Sequence, residues 1–227
     1  MKNRILLACL LFLPLSLFGA DIADWIALSD RRDNAVIASI MRDSPFREQI
    51  AVVSALGKRK DFYMSEIIDC LSGSRGIPAF SRGDYLLRVL LASVFPAPDA
   101  VSALELQTRL LANQECFARL VASLRQIEDL QLRAEIIRLI PYSGQPSYLG
   151  ALMAEADLIL TLLTDRKVTA AEQDYILAYL AAVEKVGDAV FLEPCVRIYE
   201  ISAQARIRRT AERVISGLKE AVESSAN

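Results

Sequence analysis

The chain has 227 residues, 53% hydrophobic and 24% charged, with a formal net charge of −2 and no histidine; that length holds one domain with an ample core or one continuous array of helices. The weakly acidic balance excludes a protein built to neutralise phosphates or anionic lipid, so no nucleic-acid partner is expected. Without histidine there is no Ser-His-Asp or Cys-His nucleophile and no His-ligated zinc or haem, and neither a metal nor a cofactor is expected.

Residues 1–20 open with Met1-Lys2-Asn3-Arg4, run through an apolar stretch from Ile5 to Phe18 and close on Gly19-Ala20. A basic start, a short apolar segment and a small-residue end predict a secretory signal peptide cleaved after Ala20. The apolar run holds Pro14 and is shorter than the roughly 20 residues a membrane span needs. Phe18 sits where a small residue is preferred, which keeps a retained N-terminal anchor as the competing reading. Membrane association is expected only in that case. Cys9, after Leu6-Leu7-Ala8, superficially matches a lipoprotein box but comes too early. The mature protein is therefore expected in the periplasm or outside the cell. Loss of Lys2 and Arg4 with the leader would take its net charge to −4.

Residues 21–42 carry Trp25, Ile26, Leu28, Val36, Ile37 and Ile40, which reads as one or two helices covering the start of the domain. From there the sequence repeats a short pattern: Asp, two residues, an apolar residue, Arg. It stands at Asp43-Ser44-Pro45-Phe46-Arg47, Asp84-Tyr85-Leu86-Leu87-Arg88 and Asp129-Leu130-Gln131-Leu132-Arg133. A fourth copy, Asp174-Tyr175-Ile176-Leu177-Ala178, lacks the arginine, and the starts lie 41, 45 and 45 residues apart. Asp suits a helix N-cap, where its carboxylate accepts free N–H groups and meets the positive end of the helix dipole. The Arg one turn later shares its face, a pairing worth about 0.2–0.5 kcal/mol where exposed. An apolar stripe at helical spacing follows each Arg, and each stripe meets a breaker: Gly57, Pro96 with Pro98, Pro141 with Gly144 and Pro146, and Gly187. A second helical stripe follows each breaker.

The unit is thus helix, turn, helix, at the roughly 40–47 residues expected of HEAT and armadillo arrays. Together with Ile207-Arg208-Arg209-Thr210-Ala211 and the Ile215 and Leu218 behind it, the pattern resembles the HEAT-like (armadillo-type) helical repeat family over most of residues 33–218. The last copy starts from Gln204, only 30 residues after the fourth, so the ending is irregular. The resemblance implies an all-α fold, an α-α superhelix or solenoid of about four to five helix pairs. It also implies a structural role for Asp43, Arg47, Asp84, Arg88, Asp129, Arg133 and Asp174, which would link neighbouring repeats in a ladder.

Between these marks, Ser44-Pro45 supplies a cap residue and Pro at the first helical position. Ser72-Gly73-Ser74-Arg75-Gly76-Ile77-Pro78 is loop-like, but Gly76 leads into Ile-Pro and not into the Gly-Lys-Ser/Thr of a phosphate loop, so it reads as a connection. Residues 99–127 hold a partner helix and an inserted one, opened by the capping box Ser102-Ala103-Leu104-Glu105. Residues 149–163 form another partner stripe, and Thr169-Ala170-Ala171-Glu172 is a second capping box. Residues 21–218 make up the repeat domain, and 219–227 form a polar tail expected to fray. Cys70, Cys116 and Cys195 have no CxxC spacing and sit on apolar stripes, as buried free thiols do; one disulfide among them stays open.

Three groups carry candidate chemistry. Arg206, Arg208, Arg209 and Arg213, with Arg197 nearby, form a candidate partner-binding patch for an anionic partner or the solvated face of a capping helix. Glu155 with Asp157, and Glu128-Asp129 with Glu135, are carboxylate pairs of the kind that cleave glycosidic bonds, though Asp129 already serves as a repeat cap. Tyr142, Tyr148, Tyr175, Tyr179 and Tyr199 recur near the turns and partner helices; on one concave face they would favour peptide or glycan contact, otherwise they pack between repeats. No catalytic residue is assigned. The expected function is a noncatalytic scaffold or binding module of the cell envelope with a protein or peptide partner. The alternative is a carboxylate-dependent peptidoglycan hydrolase.

Overall fold

The computed structural model describes residues 44–56, 68, 71–72, 82–165 and 167–225. The expected signal peptide, Cys9, the helices expected over 21–42, Asp43, Cys70 and the connection from Gly73 to Pro78 lie outside those residues. Among the described residues there are nine α-helices and no strand. They are α1 (Phe46–Leu56), α2 (Gly83–Val94), α3 (Ala103–Ala112), α4 (Gln114–Ala122), α5 (Leu130–Ser143), α6 (Leu149–Asp165), α7 (Ala170–Val186), α8 (Leu192–Ile201) and α9 (Ala205–Ser225). The fold is all-helical, and each helix packs against its neighbours. α1 packs on α2, α2 on α5, α5 along α7 and α7 on α9. α3 lies on α5, α6 contacts α7 and α8, and α8 runs along α9.

Local chemistry sets most of the boundaries. Asp129 accepts the N–H groups of Gln131 at 2.8 Å and Leu132 at 3.3 Å, capping α5. Thr169 and Glu172 make both bonds of a capping box at the start of α7. Ser102 caps α3 through the Glu105 N–H, but the Glu105 carboxylate turns to Arg109 at 2.9 Å, so only half of that box forms. Gly144 (φ 63°) and Gly187 (φ 67°) end α5 and α7 in the left-handed conformation that glycine adopts at least cost.

Several expectations need correction. Pro141 does not stop its helix; α5 carries through it to Ser143 and ends at Gly144. Proline this close to a C-terminus forfeits one N–H, and its ring is accommodated without ending the helix. α1 begins at Phe46, with the Pro45 carbonyl accepting the first helical N–H groups from Glu48 and Gln49, so Pro45 precedes the helix instead of opening it. Asp84 is not a cap: Gly83 starts α2, and Arg82 before it takes φ 86°. Asp174 is not a cap either, because α7 starts at Ala170 behind Thr169 and places Asp174 on an exposed face one turn in. Residues 219–225 continue α9 as helix, since Lys219, Glu220, Ala221 and Glu223 favour helix by propensity.

Burial follows position along the chain. α5 buries Leu132, Ala134, Ile136, Ile137, Leu139 and Ile140, and α7 buries Tyr175, Ile176, Ala178, Tyr179, Leu180 and Val183; both are covered on more than one side. α9 buries only the stripe Ile207, Ala211, Val214 and Leu218. Each fully buried Leu- or Ile-sized side chain contributes about 1.5–3 kcal/mol before entropy is subtracted. Phe95, Phe117 and Tyr148 meet edge to face, with centroids 5.6 and 5.5 Å apart, and join the end of α2 to α4 and to the turn before α6. Pro146–Thr164 is long and apolar enough to cross a membrane by composition, but in the fold this stretch packs on α7 and α8 and holds the buried Glu155.

Candidate functional site

A half-open groove of about 960 Å³ lies between α2, α5 and α7. Helical spacing aims its lining. Tyr85, Arg88, Val89 and Ala92 share one face of α2, and Glu135, Arg138 and Tyr142 share one face of α5. From α7 come Ala181 and Lys185, one turn apart, while Phe95, Pro96 and Pro98 close the α2 end. Small side chains at Ala92 and Ala181 leave the space that larger ones would fill.

One wall of the groove is a polar network between the second and third copies of the repeat pattern. The Asp84 carboxylate accepts the N–H groups of Glu128 at 3.0 Å and Asp129 at 2.8 Å, across 44 and 45 residues. Arg88 donates to Gln131 Oε1 at 2.6 Å and lies 3.5 Å from Asp129 Oδ2. Its Nε is 3.9 Å from Glu135 Oε1, without a hydrogen bond. Asp84 and Arg88 therefore reach the next copy and not each other. Burial pushes the Glu135 carboxyl upward, against the opposing pull of Arg88 and Arg138.

The groove also carries aromatic and cationic groups. Lys185 Nζ stands 3.8 Å from the centroid of the Tyr142 ring. Tyr85 is 47% exposed at the rim, and its ring meets Phe46 at 5.4 Å. Arg82 covers the other side of that contact, 4.6 Å from the Phe46 centroid.

The remaining candidates disperse. Arg133, expected to share a face with Asp129, is buried and paired instead with Glu155: Nε to Oε2 at 3.0 Å and Nη2 to Oε1 at 2.6 Å. Its Nη1 donates to the Ile127 carbonyl at 3.1 Å, and the Tyr175 hydroxyl donates to Glu155 Oε2 at 2.5 Å. Burial opposes the charged guanidinium, but the Glu155 contacts outweigh it and Arg133 is held further protonated. Burial, then the Glu155 charge, drives the Tyr175 phenol far above its ordinary range. The carboxylate pair is not assembled, because residues two apart on a helix face opposite ways: Glu155 is 1% exposed inside α6, and Asp157 faces solvent.

Arg206, Arg209 and Arg213 share one flank of α9, whereas Arg208 lies on the other, 5.0 Å from the Tyr199 ring. Arg213 is taken by Glu184 at 2.8 Å, and Arg197 is exposed on α8. The five arginines do not form one patch. Arg47 is exposed on α1. Tyr148, Tyr175 and Tyr179 are core residues, which leaves Tyr142 in the groove. Cys116 and Cys195 are free, and burial pushes both thiols up to about 12. Among the described residues no three Cys, Asp or Glu side chains gather as a metal site.

Sequence reasoning missed Tyr85, Arg138 and Lys185. Arg138 and Tyr142 were visible as an i, i+4 pair, but nothing local set them against α2 and α7.

Fold and groove together define an all-helical protein of neighbour-packed helices with a half-open cleft of aromatic and mixed-charge lining. Compared with known proteins, the chain matches no family model, no curated protein and no solved structure.

Proposed function

We propose that the chain is an exported α-solenoid of about four to five HEAT-like helix pairs that acts, without chemistry of its own, as a protein-interaction scaffold in the cell envelope. The groove between α2, α5 and α7 carries this reading: it is half-open, is formed by three helices in a row, and is lined by exposed Tyr85, Arg138 and Lys185 and half-buried Tyr142. Tyr and Arg are the side chains that protein interfaces favour, because each combines apolar area with directed hydrogen bonds. Two further observations support the array. The first helices of successive units pack in chain order, α1 to α2 to α5 to α7 to α9. Burial is widest in the interior helices and reduced to one stripe in α9, as stacked units with a polar end require. In this reading residues 1–20 direct export.

The test is in-cell photo-crosslinking of the full-length protein, with the reactive residue at Tyr85 or Tyr142 and, as a control, at Asp157. The same protein partner captured from both groove positions and not from Asp157 is the expected result. Release of soluble wall fragments by the purified protein, with no protein captured, overturns the scaffold reading. Export is checked by fractionation and N-terminal sequencing, with a new terminus near Asp21 expected.

A further inference from the structure

The charges along the groove narrow the chemistry of its occupant. Glu135, on α5, is already faced by Arg88 of α2 at 3.9 Å. Among the described residues, Arg138 and Lys185 have no carboxylate within ion-pair distance; the contact Lys185 makes is with the Tyr142 ring. Two exposed cations outside any ion pair thus stand on α5 and α7, Arg138 acting on Glu135 only at longer range, and exposed Tyr85 with half-buried Val89 and Pro96 makes an apolar rim on the α2 side.

The shape adds a second constraint. Small-molecule sites enclose about 70–90% of a ligand's surface, and a half-open trough does not. Three helices at about 8–10 Å spacing span roughly 16–20 Å, the length of five or six residues of extended chain at about 3.3 Å each. The mixed charge, with Asp99 also on the rim, disfavours a polyphosphate backbone or an anionic membrane, which reward uniformly basic surfaces.

We propose that this groove binds an extended segment of a partner protein in which an acidic side chain lies beside apolar residues. The carboxylate sits between Arg138 and Lys185, and the apolar residues lie against Tyr85 and Pro96. The proposal rests on the scaffold reading and narrows it to one surface and one ligand chemistry.

The experiment uses the full-length protein and a phage-displayed library of random nine-residue peptides, followed by fluorescence polarisation of the enriched sequences. Variants are R138E/K185E in the groove and R206E/R209E on α9. All four side chains are exposed, so folding is checked simply by an unchanged melting curve. Enriched peptides are expected to carry Asp or Glu next to apolar residues. Binding should weaken about tenfold or more in R138E/K185E and be untouched in R206E/R209E, since charge-assisted bonds at the site are lost only in the first. Replacing the peptide's acid with Lys should restore binding to R138E/K185E. Equal binding to wild type and R138E/K185E, enrichment of peptides without a carboxylate, or no enrichment at all overturns the proposal. So does capture of phosphatidylglycerol vesicles with the same dependence on Arg138 and Lys185. Crosslinking of a protein partner from Tyr85 and Tyr142 alongside any of these failures leaves the scaffold reading standing.

Discussion

Replacing Glu155 with leucine should be among the most destabilising single changes available. The carboxylate is 1% exposed and accepts three hydrogen bonds, two from Arg133 and one from Tyr175. Leucine removes all three bonds and leaves a guanidinium, itself 8% exposed, with the Ile127 carbonyl and the Tyr175 hydroxyl as its remaining polar neighbours. Breaking a buried pair by deleting one partner costs about 3–5 kcal/mol, because the other charge stays desolvated. At about 2–4 °C per kcal/mol for a domain of this size, Tm should fall by about 6–20 °C. Removing both charges, as Arg133→Met with Glu155→Leu, should recover most of the loss, since well-packed apolar groups replace a buried pair nearly neutrally. The assay is urea unfolding followed by far-UV circular dichroism on both single variants and the double. A Glu155→Leu loss under about 1 kcal/mol, or a double variant worse than the sum of the singles, refutes the reasoning, because coupled sites must be non-additive in the favourable direction.

Gly83→Ala would drive its methyl group into the Leu71 backbone carbonyl, which cannot yield as a side chain can; a loss of at least about 1–3 kcal/mol is expected in thermal melts, and a neutral variant would refute that close approach. Asp84→Ala should cost about 1 kcal/mol by orphaning the Glu128 and Asp129 N–H groups, and amide exchange should quicken at those two positions if the carboxylate is their acceptor. Stability should fall on the alkaline side: burial raises Cys116 and Cys195 to about 12 from an ordinary 9.0. The unfolded chain then releases thiol protons that the folded chain keeps. The contribution is complete below about pH 9 and fades as pH rises through about 12, with a slope of up to about 1.4 kcal/mol per pH unit for each thiol. Tyr175 and Tyr179, whose phenols burial also raises, add to the loss above about pH 10. Urea midpoints that stay flat from about pH 8 to 11 would contradict this sign.

The all-helical class and many of the helix limits were legible in the sequence, because they depend on residues within one turn of each other. The i, i+3, i+4 apolar stripes, the Thr169–Glu172 box, the inserted helices over 99–127 and the stops at Gly144 and Gly187 are local statements, and the chain makes them unaided. What each copy of the repeated pattern does is not local. The Asp falls at the second residue of α2, at the cap before α5 and one turn into α7, so one five-residue pattern meets three different surroundings. Arg88 reaches forward 43 residues to Gln131, whereas Arg133 turns inward to a glutamate 22 residues on and shares it with Tyr175, the second residue of the fourth copy, whose arginine position is held by Ala178. The groove is of the same kind. Arg138, Tyr142, Tyr85 and Lys185 come from three helices, and only their packing leaves Arg138 and Lys185 outside any ion pair among the described residues. Sequence periodicity determined which face of each helix turns inward. Only tertiary packing decided which charges were neutralised, because a charge's partner is set by distance in space and not by spacing along the chain.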